Sequence, residues 1–131
     1  RNSMKTRTFS RHSLIGLVML GAIAAAPATL AEPKQLSGAE ISALLPGKEM
    51  TGQTKSARAY AITYAESTMK GDIENTWFDE GKWSVRNDMY CRQWTEWGKG
   101  EEKCLVIRHV SGTEYQIYDP SEDRTVKVTI Q

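Results

Sequence analysis

Residues 83–94 read Trp-Ser-Val-Arg-Asn-Asp-Met-Tyr-Cys-Arg-Gln-Trp, and this stretch decides the fold class. The odd-numbered positions include Trp83, Val85, Met89 and Cys91, and the even-numbered positions include Tyr90, Arg92 and Trp94. A period of two is typical of half-buried β-strands, and Asn87-Asp88 is typical of a turn. The stretch therefore predicts β structure with a turn signal at its centre.

The same period continues outward on both sides. Apolar positions alternate at Tyr60, Ile62 and Tyr64, at Val106 and Val110, at Tyr115 and Ile117, and at Val126, Val128 and Ile130. Turn signals lie at Lys70-Gly71-Asp72, Asp79-Glu80-Gly81, Asn87-Asp88, Gly98-Lys99-Gly100, Ser111-Gly112 and Asp119-Pro120-Ser121. A mainly β chain of this kind predicts a small antiparallel meander that closes into a barrel or a strongly twisted sheet, since closure removes exposed edges.

The two cysteines of the chain, Cys91 and Cys104, are predicted to form a disulfide. If they face each other, the centre of their hairpin falls between Trp97 and Gly98. The bond would fix the register of the hairpin, and the chain-entropy model gives it about 3 kcal/mol for a loop of this size. A redox-active pair is less favoured, because such sites usually use the Cys-x-x-Cys spacing.

One short helix is predicted before the strands. Ser37 precedes Glu40 by three residues, which is the spacing of a capping box. Apolar residues follow on one face, and Pro46-Gly47 ends the element. We expect this N-terminal helix to cover one end of the domain.

Residues 1–31 have the pattern of a signal peptide that is removed on export. Arg1 to Ser3 precede Met4 and are interpreted as a reading-frame remnant; a basic start and an apolar run from Leu14 to Ala26 follow. We expect cleavage after Ala31, or alternatively after Ala28. The run is shorter than the roughly 20 residues that cross a bilayer, so stable membrane insertion is not expected. Residues 32–131 then form a single small β domain in the periplasm or outside the cell.

The charge of that domain argues against nucleic acid as a partner. Four of the 17 Lys and Arg residues but none of the 16 Asp and Glu residues lie in residues 1–31, so the domain carries a formal net charge of −3. A slightly acidic domain lacks the basic surface that nucleic acids and anionic membranes attract.

The aromatic cluster is the constellation that points to binding. All four tryptophans lie between Trp77 and Trp97. Trp83 and Trp94 have opposite parity, so in one continuous strand they would face opposite sides, one in the core and the other near the surface or a cavity mouth. The candidate binding residues are Tyr90, Arg92, Trp94 and Trp97. Core filling is the favoured role for Trp83. Trp94 and Trp97 either fill the core as well or form an exposed binding edge with Arg92, since Trp with Arg is the composition of an interface hot spot.

Three strings together resemble a group of small exported alphaproteobacterial proteins, known as a domain of unknown function. They are Gly81-x-Trp83-x-Val85, Tyr90-Cys91-x-x-Trp94 and Cys104-x-Val106, preceded by Leu45-x-Gly47 and Thr51-Gly52. The resemblance implies a lipocalin-like β fold in the periplasm, with the cysteine pair on the hairpin that follows the Gly-x-Trp strand. Lys70-Gly71-Asp72 departs from the Asp-Gly turn of that group. The group implies no catalytic residues.

Catalytic and metal-binding signals are weak. His109 is the single histidine of residues 32–131, and no Gly-x-Ser-x-Gly motif accompanies it. One histidine and two oxidised cysteines are a poor ligand supply for zinc, so no metal and no cofactor is predicted. Asp119, Glu122 and Asp123 lack the spacing of a calcium loop.

The sequence therefore favours a non-catalytic periplasmic binding module. It would hold a small apolar ligand in its barrel or dock on a protein of the cell envelope. The alternative is an inhibitor of an envelope enzyme such as lysozyme, whose basic surface an acidic domain would match. A hydrolase is the least favoured class.

Overall fold

The computed structural model describes residues 32–131, together with residue 16 and residues 21–23. Apart from those four positions, the predicted leader and its cleavage sites lie outside the described residues. The strands are β1 (Lys34–Gln35), β2 (Glu49–Gln53), β3 (Ala59–Tyr64), β4 (Thr68–Ile73), β5 (Trp77–Arg86), β6 (Met89–Trp94), β7 (Lys103–Ser111), β8 (Glu114–Asp119) and β9 (Arg124–Ile130). One α-helix, α1 (Gly38–Leu44), and a 3-10 turn (Trp97–Gly100) complete the described elements.

Strands β2 to β9 form a closed barrel in which every strand is antiparallel to the next. Met50 of β2 lies opposite Ile130 of β9, which joins the last strand to the first. Strand β1 adds a short segment beside β7, with Lys34 opposite His109. The prediction of a small antiparallel meander that closes into a barrel is confirmed.

The turn between β5 and β6 explains how the central stretch folds. Asn87 and Asp88 both have positive φ angles, 52° and 56°, which is the geometry of the two-residue turns that match strand twist. Arg86 therefore lies opposite Met89, and Gly81 lies opposite Trp94. Because the turn reverses the chain within two residues, the inward parity changes from odd to even.

This parity change corrects the prediction for two tryptophans. Trp83 and Trp94 do not face opposite sides, because they lie on two strands rather than one continuous strand. Both are buried on the inner face of the barrel, with 6% and 8% of their surface exposed.

Two of the predicted turns are wrong as well. Lys70-Gly71-Asp72 lies inside β4, and Asp79-Glu80-Gly81 lies inside β5. Both glycines serve close packing instead. A Cβ at Gly71 would stand 2.6 Å from the ring of Trp94, and one at Gly81 would stand 2.5 Å from the carbonyl oxygen of Gln93.

Helix α1 forms as its cap predicts. The Ser37 hydroxyl accepts a hydrogen bond from the Glu40 backbone N–H, and the Glu40 carboxylate accepts one from the Ser37 N–H, both at 3.2 Å. The Gly38 N–H donates to the Asp88 carboxylate at 2.7 Å, which ties the helix to the β5–β6 turn. Ile41 and Leu45 are fully buried against the barrel core. We call this end of the barrel the closed end.

The core of the closed end is aromatic. Tyr64, Trp83 and Tyr90 meet edge to face, with ring centroids 5.8 to 6.3 Å apart. Every polar atom in the trio has a partner: the two tyrosine hydroxyls lie 2.7 Å apart, and the Trp83 indole N–H donates to the Ala65 carbonyl at 3.0 Å.

In the part of the chain that the structure describes, no helix has the length and hydropathy needed to cross a membrane.

Candidate binding site at the mouth of the barrel

The end of the barrel away from α1 opens into a cavity of about 580 Å³, which we call the mouth. Its volume is within the range of small-molecule sites in proteins. The apolar lining consists of Met50, Tyr60, Ile62, Ile73, Trp94, Trp97, Leu105, Ile117 and Val126. The charged lining consists of Lys55, Arg92, Lys99, Glu101, Glu102, Lys103, Asp119, Glu122 and Arg124. An apolar floor under a charged rim suits a ligand with two chemical parts.

One wall of the mouth is a pair of tryptophans. The rings of Trp94 and Trp97 lie with centroids 4.8 Å apart and planes tilted by 57°. Both rings lie over Gly71 of β4, where a Cβ would stand 2.6 and 2.8 Å from them. The missing side chain at Gly71 therefore creates the space that the indole wall occupies.

Asp79 of β5 anchors the loop that carries Trp97. Its carboxylate accepts hydrogen bonds from the backbone N–H groups of Glu96 and Trp97, at 2.9 and 2.8 Å. A third comes from the Glu80 N–H at 2.8 Å. Partial desolvation raises the pKa of Asp79, but these three donors outweigh it and hold the pKa below its ordinary value. The ionised carboxylate thus fixes the loop against the strand.

A second carboxylate, Asp119, is neutralised inside the mouth. The Lys103 ammonium lies 2.8 Å from one oxygen, and Ser121 donates to the other from its N–H at 2.9 Å and its hydroxyl at 2.6 Å. Partial desolvation raises the pKa of Asp119, yet these donors dominate and lower it to about 2. The hydrogen bond to Asp119, which outweighs partial desolvation, raises the pKa of Lys103, and the charge of Glu122 acts in the same direction. Glu122 contacts both Lys55 at 2.9 Å and Lys103 at 3.6 Å.

Two half-buried arginines of the mouth remain without an acidic partner. Neither Arg92 nor Arg124 forms an ion pair with any residue in the described range 32–131. Burial raises the pKa of the Tyr60 phenol, and the charges of both arginines oppose that rise. Both arginines line the mouth together with this tyrosine.

The structure brings together three of the four residues that the sequence singled out. Arg92, Trp94 and Trp97 line the mouth. Tyr90 is fully buried in the closed-end core, where its hydroxyl contacts that of Tyr64 and lies 3.5 Å from the Met69 sulfur. It supports the floor of the site and has no surface for a ligand.

Sequence reasoning did not assign the other lining residues of the mouth to a binding site, among them Tyr60, Lys103, Asp119 and Arg124. For three of these residues, the alternation of inward-facing and outward-facing positions along the strands contains a signal. Lys103 shares its parity with the buried Leu105, Asp119 with Ile117, and Arg124 with the buried Val128. A charged residue that ends an inward-facing apolar row is expected where the row reaches the open end of a barrel.

The disulfide between Cys91 and Cys104 forms as predicted, and these residues lie opposite each other on β6 and β7. Together with Glu102 they are the one group with metal-ligand spacing among the described residues. Both sulfur atoms are bonded to each other, so neither is available as a thiolate ligand. His109 lies toward the closed end, where its ring contacts the Gly112 carbonyl at 2.9 Å and packs on Tyr115.

A more open depression of about 770 Å³ includes the outer surface of β2, β3 and β9. Its charged lining includes Glu49, Asp72, Glu74 and Lys127. The mouth is the stronger candidate because it combines aromatic walls with converging charges.

Comparisons of this chain with protein-family models, with curated proteins and with solved structures find no match. The resemblance to the exported alphaproteobacterial group therefore stays a prediction, and the functional argument rests on the mouth.

Proposed function

We propose that this chain is an exported binding module that holds a small, largely apolar ligand in the mouth of its barrel, without chemical conversion. The observation that carries the proposal is the indole wall. Trp94 and Trp97 flank a cavity of about 580 Å³ whose floor is made of buried aliphatic side chains. Small-molecule sites are commonly concave, apolar and aromatic, with a few charged groups that orient the ligand.

The location proposed for this module is the periplasm or the exterior of the cell. Its support is the signal-peptide pattern of residues 1–31 and the disulfide, since disulfides persist in oxidising compartments. Expression with the natural leader and mass measurement of the exported protein tests it. A chain that begins at Glu32 or at Thr29 and has lost two hydrogen atoms, as disulfide formation requires, agrees with the proposal. A chain retained in the cytoplasm with its leader contradicts it.

Binding is tested with the neutral fluorescent probe N-phenyl-1-naphthylamine. We expect saturable binding with one probe per chain, and Trp97→Ala should weaken it about tenfold because the variant removes half of the indole wall. The matched control is Phe78→Ala, which removes an aromatic ring that is 68% exposed and does not line the mouth. Absence of saturable one-to-one binding of both this probe and its sulfonate analogue 8-anilinonaphthalene-1-sulfonate by the unmodified protein would overturn the proposal.

A second candidate is docking on a basic envelope enzyme such as lysozyme. The observation that favours it is an exposed aromatic pair at the start of β5, where Trp77 and Phe78 have 47% and 68% of their surface exposed. Arg92 and Trp94 face the interior of the barrel, so a docking surface would use this pair instead. Loss of lysozyme activity on mixing, relieved by Phe78→Ala, would support docking; unchanged lysozyme activity would exclude this target.

A further inference from the structure

The arginines of residues 32–131 divide into two groups according to whether the side chain contacts an acidic group or an aromatic ring. Three have a partner: Arg58 lies 4.9 Å from the ring centre of Trp77, Arg108 lies 4.8 Å from that of Tyr118, and Arg86 pairs with Glu102. Arg92 and Arg124 have neither an ion pair nor an aromatic ring beneath them within residues 32–131. Burial raises the pKa of the Tyr90 phenol, and a hydrogen bond from Arg92 opposes that rise, so the polar contact of Arg92 is with a neutral hydroxyl and not with an acid. These two are the arginines that line the mouth.

The nearby carboxylates do not supply the missing partners. Asp119 lies opposite Arg124 in the strand pairing, but its carboxylate is bound by Lys103 and Ser121. Glu122 is bound by Lys55 and Lys103. Glu102 is held by Arg86. Lys55 and Lys103 thus neutralise Asp119 and Glu122. Glu101, the remaining carboxylate of the lining, forms no ion pair within residues 32–131, and neither do Arg92 and Arg124.

The two arginines belong to different strands but line the same cavity. Arg92 extends from β6 and Arg124 from β9, yet the charges of both act on the Tyr60 phenol of β3. Arg92 lies directly opposite Lys103 in the β6–β7 ladder, and its charge disfavours the protonated lysine. Arg92 and Arg124 are half-buried charges without an acidic partner, and an anion beside them would lower the electrostatic energy of the mouth.

We propose, on the basis of the proposed function, that the ligand of the mouth is an amphipathic anion. A carboxylate, sulfate, sulfonate or phosphate group would contact Arg92 and Arg124, while the apolar or aromatic body lies against Trp94 and Trp97. Guanidinium groups suit this task because their planar donors bind anionic oxygens in pairs. Partial exclusion of water from the mouth strengthens these charge-assisted hydrogen bonds.

A pair of probes with one shared skeleton tests the anion. N-phenyl-1-naphthylamine and 8-anilinonaphthalene-1-sulfonate have the same rings, and only the second carries a sulfonate. We expect the unmodified protein to bind the sulfonate probe about tenfold more tightly, as one charge-assisted contact would give. Arg92→Gln and Arg124→Gln should each remove most of that preference, because they should weaken binding of the sulfonate probe several-fold more than binding of the neutral probe.

The matched control is Arg108→Gln, which removes the same charge from outside the mouth. It should change neither affinity. The folded state of each variant is checked by circular dichroism, and Arg124→Gln decides alone if Arg92→Gln does not fold. Equal affinity of the unmodified protein for both probes would overturn the anion proposal while leaving the binding module intact. An equal loss of both probes in the folded arginine variants would likewise overturn it. Failure of both probes to bind would overturn the binding module itself.

Discussion

The two ends of the barrel use the same kinds of side chain for different purposes. At the closed end, Tyr64, Trp83 and Tyr90 lie under helix α1, and each polar atom of the trio has a partner. At the mouth, Trp94 and Trp97 face a cavity, and Arg92 and Arg124 form no ion pair with an acidic group among the described residues. Buried polar groups whose hydrogen bonds are all made within the protein stabilise the fold, whereas charged groups without a partner around a cavity are available to a ligand. The comparison therefore separates residues that maintain the barrel from residues for which we propose a role in binding.

The largest effect should come from removing the centre of the closed end. Trp83→Ala should lower the free energy of unfolding by about 3–5 kcal/mol, because a buried indole leaves a cavity that its neighbours cannot fill. Urea denaturation measures the loss. Trp97→Ala is the control, and its loss should be clearly smaller because that ring is half-buried at the mouth. Similar losses for the two variants would break the distinction between the ends.

The disulfide should give the next largest effect. The β6–β7 ladder has three residue pairs in the described chain, and Cys91 with Cys104 is the central one. Reduction of the unmodified protein should cost about 3 kcal/mol of stability through the entropy of the opened loop. Urea denaturation with and without reductant measures it. The double variant Cys91→Ser with Cys104→Ser should show no further response to reductant; a response would mean that reduction acts elsewhere.

Acid should lower the free energy of unfolding through protonation of Asp119. Folding lowers the pKa of this carboxyl from its ordinary 3.8 to about 2. Its contribution to stability is therefore fully present above about pH 4 and is lost as the pH falls toward 2. A shift of this size corresponds to a loss of order 2 kcal/mol. The stability of the unmodified protein should fall across this window more steeply than that of Asp119→Asn, and parallel acid profiles would contradict the assignment.

The smallest effect on stability should come from the anchor of the Trp97 loop. Asp79→Ala removes the acceptor of the Glu96 and Trp97 amides, which lie at the surface, so the global cost should be below about 1 kcal/mol. The local effect is sharper: exchange of these two amide hydrogens should accelerate, while the Tyr90 amide at the closed end keeps its protection. Unchanged exchange of both loop amides would show that Asp79 does not fix the loop.

The sequence predicted the class of fold well because alternation is a local signal. The capping box of Ser37 and Glu40 and the pairing of Cys91 with Cys104 were also predicted, since both depend on spacing along the chain. The two wrong turn predictions share one cause. Gly71 and Gly81 were interpreted as turn glycines, but they make room for groups from β6 and its following loop, which no local pattern reveals.

The candidate site was predicted in part for the same reason. Arg92, Trp94 and Trp97 lie within six positions of one another, so their clustering is visible in the sequence. Tyr60 on β3 and Arg124 on β9 belong to the same mouth, yet 63 positions separate their numbers along the chain. Their meeting depends on the closure of β9 against β2.

The sequence alone determined that this chain forms β-strands, that a capped helix precedes them and that the two cysteines pair, because each depends on neighbours in the chain. The tertiary structure decided which tryptophans share an interior, which carboxylates are neutralised and which arginines are left to face the mouth. Barrel closure determines these outcomes, because it brings side chains from strands that are distant in the sequence close enough to pack against one another and to interact electrostatically.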